Sequence, residues 1–217
     1  MKNTILLGLL SISLIGCNSF DKHIKCDNPE ALTLVKDTLV NNLDDALVKE
    51  LKILISNQSI QNLDPEKLKL SAKNVQFTLQ DSRTDYIDPD SPKTTCSIDL
   101  AVVIPSDLIK KSDHAREAVN QASTENQADN LGLKYNQGKV NLVMEYVLQP
   151  SDKGDKVFAY LKNTAALNTF IADTLTYAFI KPQIEKNQIQ AAENLRNQTY
   201  ENNDVEVNAE EITDPIY

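Results

Sequence analysis

The feature that most constrains the fold is a change in the spacing of apolar residues along the chain. From Pro29 onward, leucines and valines recur every three or four positions, which is the spacing of one helix face. Asp27 or Asn28 would cap this helix, and Asn41-Asn42 is a candidate break. Because the spacing drifts and ends after one helix, it favours packing on a sheet over a coiled coil. The predicted apolar face is Leu32, Val35, Leu39, Leu43, Leu47, Leu51 and Leu54.

The apolar period then changes to two, which is typical of half-buried β-strands. Four such strands are predicted, and Pro150 and Gly154 mark the turn between the last two. Together with the helix they predict an α+β fold, in which a long N-terminal helix covers one face of a four-stranded antiparallel sheet. The four segments are "NVQFTLQ" (74–80), "TTCSIDLAVVI" (94–104), "KVNLVMEYVL" (139–148) and "KVFAYL" (156–161).

Three segments lie outside this helix and sheet. Residues 106–138 separate the second and third strands and are long for a hairpin connection, so we interpret them as an insertion with weak helical character. Residues 163–180 have helical spacing and one charge, Asp173, and Pro182 is expected to interrupt this helix. The asparagines and threonines of residues 163–180 favour a core or partner-facing helix over a membrane span. Residues 200–217 contain six acids and no base, which predicts a disordered tail.

The N-terminus has the three-part pattern of a secretory signal peptide. Lys2 precedes the uncharged run Ile5–Ile15, whose 11 residues are fewer than the ~20 that a membrane-spanning helix needs. The four residues Leu14-Ile15-Gly16-Cys17 resemble the lipobox of bacterial lipoproteins, in which a signal peptidase cuts before a lipid-modified cysteine. The alternative is an ordinary signal peptide with an incidental cysteine.

This resemblance implies a signal peptide over 1–16, acylation of Cys17 and a polar tether over 17–25. The mature chain would have 217 − 16 = 201 residues, and we expect a single periplasmic domain over 26–199. Asn18 follows the cysteine where Asp would retain such a protein at the inner membrane. By that analogy the protein is anchored in the outer membrane through lipid and faces the periplasm.

The three cysteines divide into one lipid site and one pair. With Cys17 acylated, Cys26 and Cys96 remain together in an oxidising compartment. A bridge between them would close a loop of 96 − 26 = 70 residues and stabilise the fold by about 4 kcal/mol. Two free thiols or a metal site are the alternatives, and no nearby Cys or His completes a zinc set. Cys96 lies on the inward strand face, where it can reach the helix start, so a disulfide is favoured.

The order of features from Cys26 to about Lys162 also resembles a group of bacterial envelope proteins. An early cysteine precedes the helix, the second cysteine lies in "TTCSIDLAV", and "VMEYVLQPSDKGDKVFAYL" leads through a Gly turn into an aromatic-rich strand. The group consists of uncharacterised cystatin-like or NTF2-like proteins. The resemblance implies a helix with an early cysteine, followed by a curved sheet that holds the second cysteine.

Residues with catalytic or metal-binding chemistry are few. His23 lies in the tether, and His114 next to Ser112 and Asp113 is interpreted as a solvated helix start, since neighbours in sequence rarely form a hydrolase triad. The acids Asp81, Asp85, Asp88 and Asp90 lack the order of an EF-hand calcium loop. Asp99 and Glu145 are predicted on outward strand faces. We therefore expect no enzyme activity, no cofactor and no metal.

The charge and the architecture favour a binding function. The net charge of −9 argues against nucleic acid and anionic headgroups, and it suits a cationic protein partner. The expected contact surfaces are the insertion 106–138, the helix 163–180 and the acidic tail. We expect a protein-binding or envelope-assembly factor, with two alternatives: an inhibitor or immunity lipoprotein against a toxic periplasmic enzyme, or a hydrophobic-ligand carrier using the concave side of the sheet.

Overall fold

The computed structural model describes residues 23–56 and 65–206. The helices in these ranges are α1 (Pro29–Ser56), α2 (Pro65–Ala72), α3 (Ser106–Ala118), α4 (Thr124–Asn130) and α5 (Ala165–Glu206). The strands are β1 (Gln76–Ile87), β2 (Thr94–Val103), β3 (Tyr135–Asn136), β4 (Lys139–Pro150) and β5 (Val157–Leu161). The α+β class and the long N-terminal helix are thus confirmed. The predicted signal peptide, Cys17 and residues 207–217 lie outside the described residues.

The sheet is antiparallel throughout, with the order β1-β2-β4-β3 and with β5 also paired to β4. β3 pairs with the beginning of β4 and β5 with its end. Asn163 bridges the interval between them, because its Nδ2 donates to the Val143 carbonyl at 2.9 Å and its Oδ1 accepts from the Glu145 amide at 3.1 Å. The four predicted strands are present, and the short β3 was not predicted.

The first strand is longer than its alternating pattern indicated. β1 extends to Ile87, past an irregularity between Gln80 and Arg83. Asp81 adopts a left-handed φ of 51° there, a conformation that aspartate tolerates better than most residues. The irregularity shifts the register, so the alternation read from Val75 to Leu79 does not continue through the strand.

The N-terminal helix is continuous, so the candidate break at Asn41-Asn42 was wrong. The Asn28 Oδ1 caps the helix by accepting from the Glu30 and Ala31 amides at 2.9 and 3.1 Å. Leu39 and Leu43 are fully buried on the two sides of the candidate break. Their packing outweighs the weak helix propensity of asparagine, which amounts to less than about 1 kcal/mol per residue.

The C-terminal helix differs from its prediction in length and in exposure. α5 passes through Pro182 and reaches Glu206, so its backbone continues into the predicted tail. Ile180 and Ile184 are both buried on the two sides of Pro182, and this packing offsets the roughly 3 kcal/mol cost of a helical proline. The predicted interruption is therefore wrong.

Most of the first half of α5 is inaccessible to a partner. Its residues from Leu167 to Ile180 are almost all buried, and they join α1, the insertion and the inward sheet residues in one core. The sequence had left open a core or a partner-facing helix, and the structure shows the core helix. The expectation that 163–180 is a contact surface is therefore not supported.

Candidate functional site: the outer face of the sheet

The two faces of the sheet have different environments. The inward face contributes Ile98, Leu100, Val140 and Met144 to the core, where they pack with the helices. On the outer face, alternate residues of the same strands are exposed, and Val143 retains 52% of its surface. An uncovered sheet face with exposed apolar residues is a candidate for an interaction surface.

One end of this outer face forms a groove of about 540 Å³. Its floor comes from β2 and β4, and its wall is the loop from Gly132 to Lys134, which belongs to the insertion. The lining combines apolar side chains with polar and charged ones of both signs. These include Gln80, Asp99, Ala101, Leu133, Lys134, Lys139, Asn141 and Val143.

A tight turn holds the groove wall against the sheet. β3 and β4 are joined through Gln137 and Gly138, which both have positive φ, at 48° and 88°. A Cβ on Gly138 would lie 2.7 Å from Ile109 Cδ1 and 2.9 Å from the Ile104 carbonyl oxygen. The Gly138 carbonyl accepts from the Ile104 amide at 2.9 Å. Gly138 therefore lets the hairpin pack directly against the end of β2 and the beginning of α3.

A cross-strand ion pair lies at the side of the groove. Arg83 Nη2 donates to Asp99 Oδ1 at 2.7 Å, and both side chains are about half exposed. The hydrogen bond from Arg83 lowers the pKa of Asp99 below its ordinary value. Asp99 is on the outer face and Glu145 is exposed, as predicted. The charge of Asp99 is thus partly neutralised beside the groove.

The opposite end of the sheet holds the disulfide. Cys26 and Cys96 are bonded with a Cα–Cα distance of 5.8 Å, which confirms the predicted pairing. The Tyr146 hydroxyl donates to the Cys26 carbonyl at 2.8 Å, and Thr84 Oγ1 donates to Cys26 Sγ at 3.3 Å. Burial raises the pKa of Tyr146. The chain therefore enters the domain at this end of the sheet, which we call the anchor end.

A buried polar cluster fastens the insertion to the core. Arg116 on α3 is 2% exposed and forms an ion pair with Asp173 on α5. Its Nη1 also donates to Gln127 Oε1 at 2.7 Å and to the Ala122 carbonyl at 3.2 Å. The guanidinium carbon lies 4.5 Å from the centre of the Tyr177 ring. The insertion is therefore a packed part of the domain.

The sequence did not predict this cluster. The only signal was Asp173, the single charge within 163–180, and nothing in the sequence identified Arg116 as its partner.

Half-buried Glu50 on α1 lies close enough to Arg116 and Asp173 for both charges to affect its pKa. Burial and the charge of Asp173 raise the pKa of Glu50. Burial likewise raises the pKa of Asp173, although Arg116 acts in the opposite direction.

Ser112 and Asp113, the two residues before His114, make hydrogen bonds to other residues of the insertion. Ser112 Oγ accepts from Arg116 Nε at 3.2 Å, and Asp113 Oδ1 accepts from the Thr124 amide at 2.7 Å, where α4 begins. His114 is exposed on α3, and His23 lies at the beginning of the described chain. Ser112 thus supports Arg116 within α3, and Asp113 connects α3 to the beginning of α4. Ser112 is fully buried in the middle of α3, so the interpretation of this segment as a solvated helix start was wrong.

Acidic side chains of β1 and of the turn that follows it also accept hydrogen bonds from nearby residues. Asp85 accepts from Ser97 Oγ at 2.9 Å, and Asp88 accepts from Ser91 and from the Asp90 amide within one turn. Among the described residues, no group of three His, Cys, Asp or Glu side chains is arranged to hold a metal ion.

Comparisons with protein-family models, with curated proteins and with solved structures found no match to this chain. None of the helices in the described ranges has an apolar stretch that would cross a membrane.

Proposed function

We propose that the protein is a lipid-anchored binding protein of the bacterial envelope that captures a polypeptide partner on the outer face of its sheet. Anchoring would occur through Cys17 in the outer membrane, with the domain in the periplasm. The observation that supports the binding function is the groove beside Val143, which has a sheet floor and a wall from the insertion. Its mixed lining suits a polypeptide, which offers both apolar side chains and polar backbone groups.

The groove and the point where the tether joins the domain lie at different ends of the sheet, which supports separate regions for binding and for anchoring. On β2, Ala101 of the groove lies five residues after Cys96, a distance of about 17 Å along the strand. A partner in the groove would therefore approach the domain away from the point where the tether joins it. The insertion, which we expected to be a contact surface, contributes through Gly132–Lys134.

The inhibitor or immunity alternative uses the same groove with a cationic enzyme as the partner. Binding that weakens strongly with salt would favour it over an assembly factor. The carrier alternative was expected to use the concave side of the sheet. Residues of α1, α5 and the inward strand faces fill most of the side of the sheet that the helices cover. A cavity of about 850 Å³ between α1, α2 and the beginning of β1 is the place on that side where a carried ligand could bind.

The test is crosslinking in living cells, followed by purification and mass spectrometry of the captured protein. Val143→Asp places a charge in the groove and should reduce the crosslinked partner at least about tenfold, the effect of losing 1.4 kcal/mol of binding free energy. Val119→Asp is the matched control, because Val119 is also exposed but does not line the groove. Equal capture by both variants would refute the groove as the binding site.

The anchor is tested separately. Cys17→Ser should abolish lipid labelling and release the protein from the membrane fraction. Unchanged membrane fractionation of this variant would refute the lipoprotein assignment and leave the groove experiment unaffected.

A further inference from the structure

Among the residues whose side chains the structure describes, the exposed aromatic ones lie in one place. They are Tyr86, which is 57% exposed, Tyr160, which is 53% exposed, and Phe158, which is 45% exposed. We call these three residues the aromatic patch.

Strand register places the aromatic patch at the anchor end. Thr95 pairs with Tyr86 on one side and Val147 on the other, and Val147 pairs with Tyr160. Tyr86 and Tyr160 consequently line one shallow depression across four strands. Thr95 directly precedes the disulfide residue Cys96, so the patch adjoins the point where the tether joins the domain.

The tether restricts how far this end can lie from a lipid on Cys17. Cys26 lies nine positions after Cys17, so the fully extended chain between them reaches ~30 Å. From Thr95 to Val103 the sheet extends about 27 Å. The tether therefore keeps the anchor end within ~30 Å of the lipid, whereas the far end of β2 can lie up to roughly 57 Å from it.

The chemistry of the patch fits a lipid interface. Tyrosine and phenylalanine have apolar rings that can be buried at a lipid interface. Tyrosine also has a polar hydroxyl group, and it is enriched at membrane–water boundaries. The two neighbouring turns, 88–93 and 151–156, together contain four aspartates and three lysines, so their charge is nearly balanced. The contact would thus depend on apolar side chains more than on anionic headgroups.

We propose that the aromatic patch rests in the interfacial layer of the membrane that holds the lipid anchor. The groove lies on the same face of the sheet, about 14 Å farther along β4 from Val147 to Val143, and is thereby held beyond the headgroup layer. This inference rests on the proposed anchoring through Cys17. The lipid would then help to position the domain as well as retain the protein at the membrane. Together with the patch, it would hold the groove at a fixed distance from the bilayer surface.

The test uses tryptophan as a depth probe, because the chain contains none. Tyr160→Trp is placed in the lipidated chain, reconstituted into phosphatidylcholine vesicles that contain brominated acyl chains. Val103→Trp is the matched control, because Val103 is exposed and lies at the other end of β2. We expect blue-shifted emission from the Tyr160→Trp variant and at least about twofold greater quenching of it than of the Val103→Trp control.

A second variant tests the apolar contact itself. Phe158→Asp added to Tyr160→Trp should reduce the quenching to the level of the Val103→Trp control, with the chain still floating with the vesicles. Equal quenching of both single variants in floating protein would refute the patch contact and leave the anchor in place. If the introduced tryptophan of Tyr160→Trp is shielded only when another protein is bound, the patch contact is also refuted, in favour of a protein contact. A chain that neither carries lipid nor floats would refute the anchor and the contact together.

Discussion

The ion pair between Arg116 and Asp173 allows a sharp test of how the insertion is attached. Asp173→Asn keeps the shape of the side chain and removes the negative charge. The guanidinium then stays in a 2% exposed site without its closest counter-ion. Burial raises the pKa of Asp173, as it does for Glu50, but only Asp173 is in direct contact with the buried guanidinium. Since leaving Arg116 as a buried unpaired charge costs more than removing the buried carboxylate gains, the variant should unfold more easily.

The magnitude follows from the partners that remain. Removing one member of a buried ion pair costs about 3–5 kcal/mol. Arg116 keeps three neutral acceptors, Gln127, the Ala122 carbonyl and Ser112, which places the expected loss at the lower end, about 3 kcal/mol. The double variant Arg116→Met/Asp173→Leu removes both charges, and it should recover at least about 2 kcal/mol of that loss.

Urea unfolding followed by circular dichroism measures these free energies, and hydrogen exchange locates the change. Amides of α3 and α4 should lose protection in Asp173→Asn, because the pair fastens these helices to α5. Asp99→Asn, which breaks the exposed pair with Arg83, is the control and should change stability little. A loss below about 1 kcal/mol in Asp173→Asn, or unchanged exchange in α3, would refute the buried attachment.

Three other predictions concern stability. Cys26→Ala/Cys96→Ala opens a 70-residue loop and should lower the free energy of unfolding by about 4 kcal/mol, a loss that reduction of the natural chain should reproduce in the same urea assay. The raised pKa of Glu50 means that the folded state binds its proton more tightly, so this group lowers stability as the pH rises from 4.5 through the raised pKa. Glu50→Gln should therefore stabilise the protein at pH 7, with the gain disappearing below pH 4.5; a gain that is independent of pH would contradict this account. Asn163→Ala removes both side-chain bonds to β4 and places alanine at a φ of 49°, so it should cost about 2 kcal/mol, with faster exchange of the Glu145 amide; unchanged exchange would mean that water replaces the bond.

Much of the fold could be predicted because apolar periodicity is a local signal of burial. The leucines of α1 and the alternating residues of β2 and β4 occur where the pattern placed them. The disulfide followed from the same reasoning, since it put Cys96 on the covered face near the start of the helix. The cystatin-like or NTF2-like resemblance, the lipobox and the proposed function remain predictions.

The candidate site was predictable only in part. The outward faces of the strands were evident from the pattern, but the groove was not. Its wall adjoins a hairpin in which Gln137 and Gly138 both take positive φ and Gly138 packs against Ile109 and Ile104. Such an arrangement is determined by contacts between segments.

The sequence by itself determined the α+β class, the disulfide pair, the helical and strand faces and the hypothesis of a lipid anchor. Only the tertiary structure decided that α5 continues past Pro182, that the insertion is fastened by Arg116 to Asp173, and that aromatic side chains gather at the anchor end. The physical reason is that apolar periodicity is a local property of the sequence, whereas contacts between distant segments are not. Periodicity reports one face of one element, whereas Arg116 and Asp173 are 57 residues apart and become partners only when α3 packs on α5.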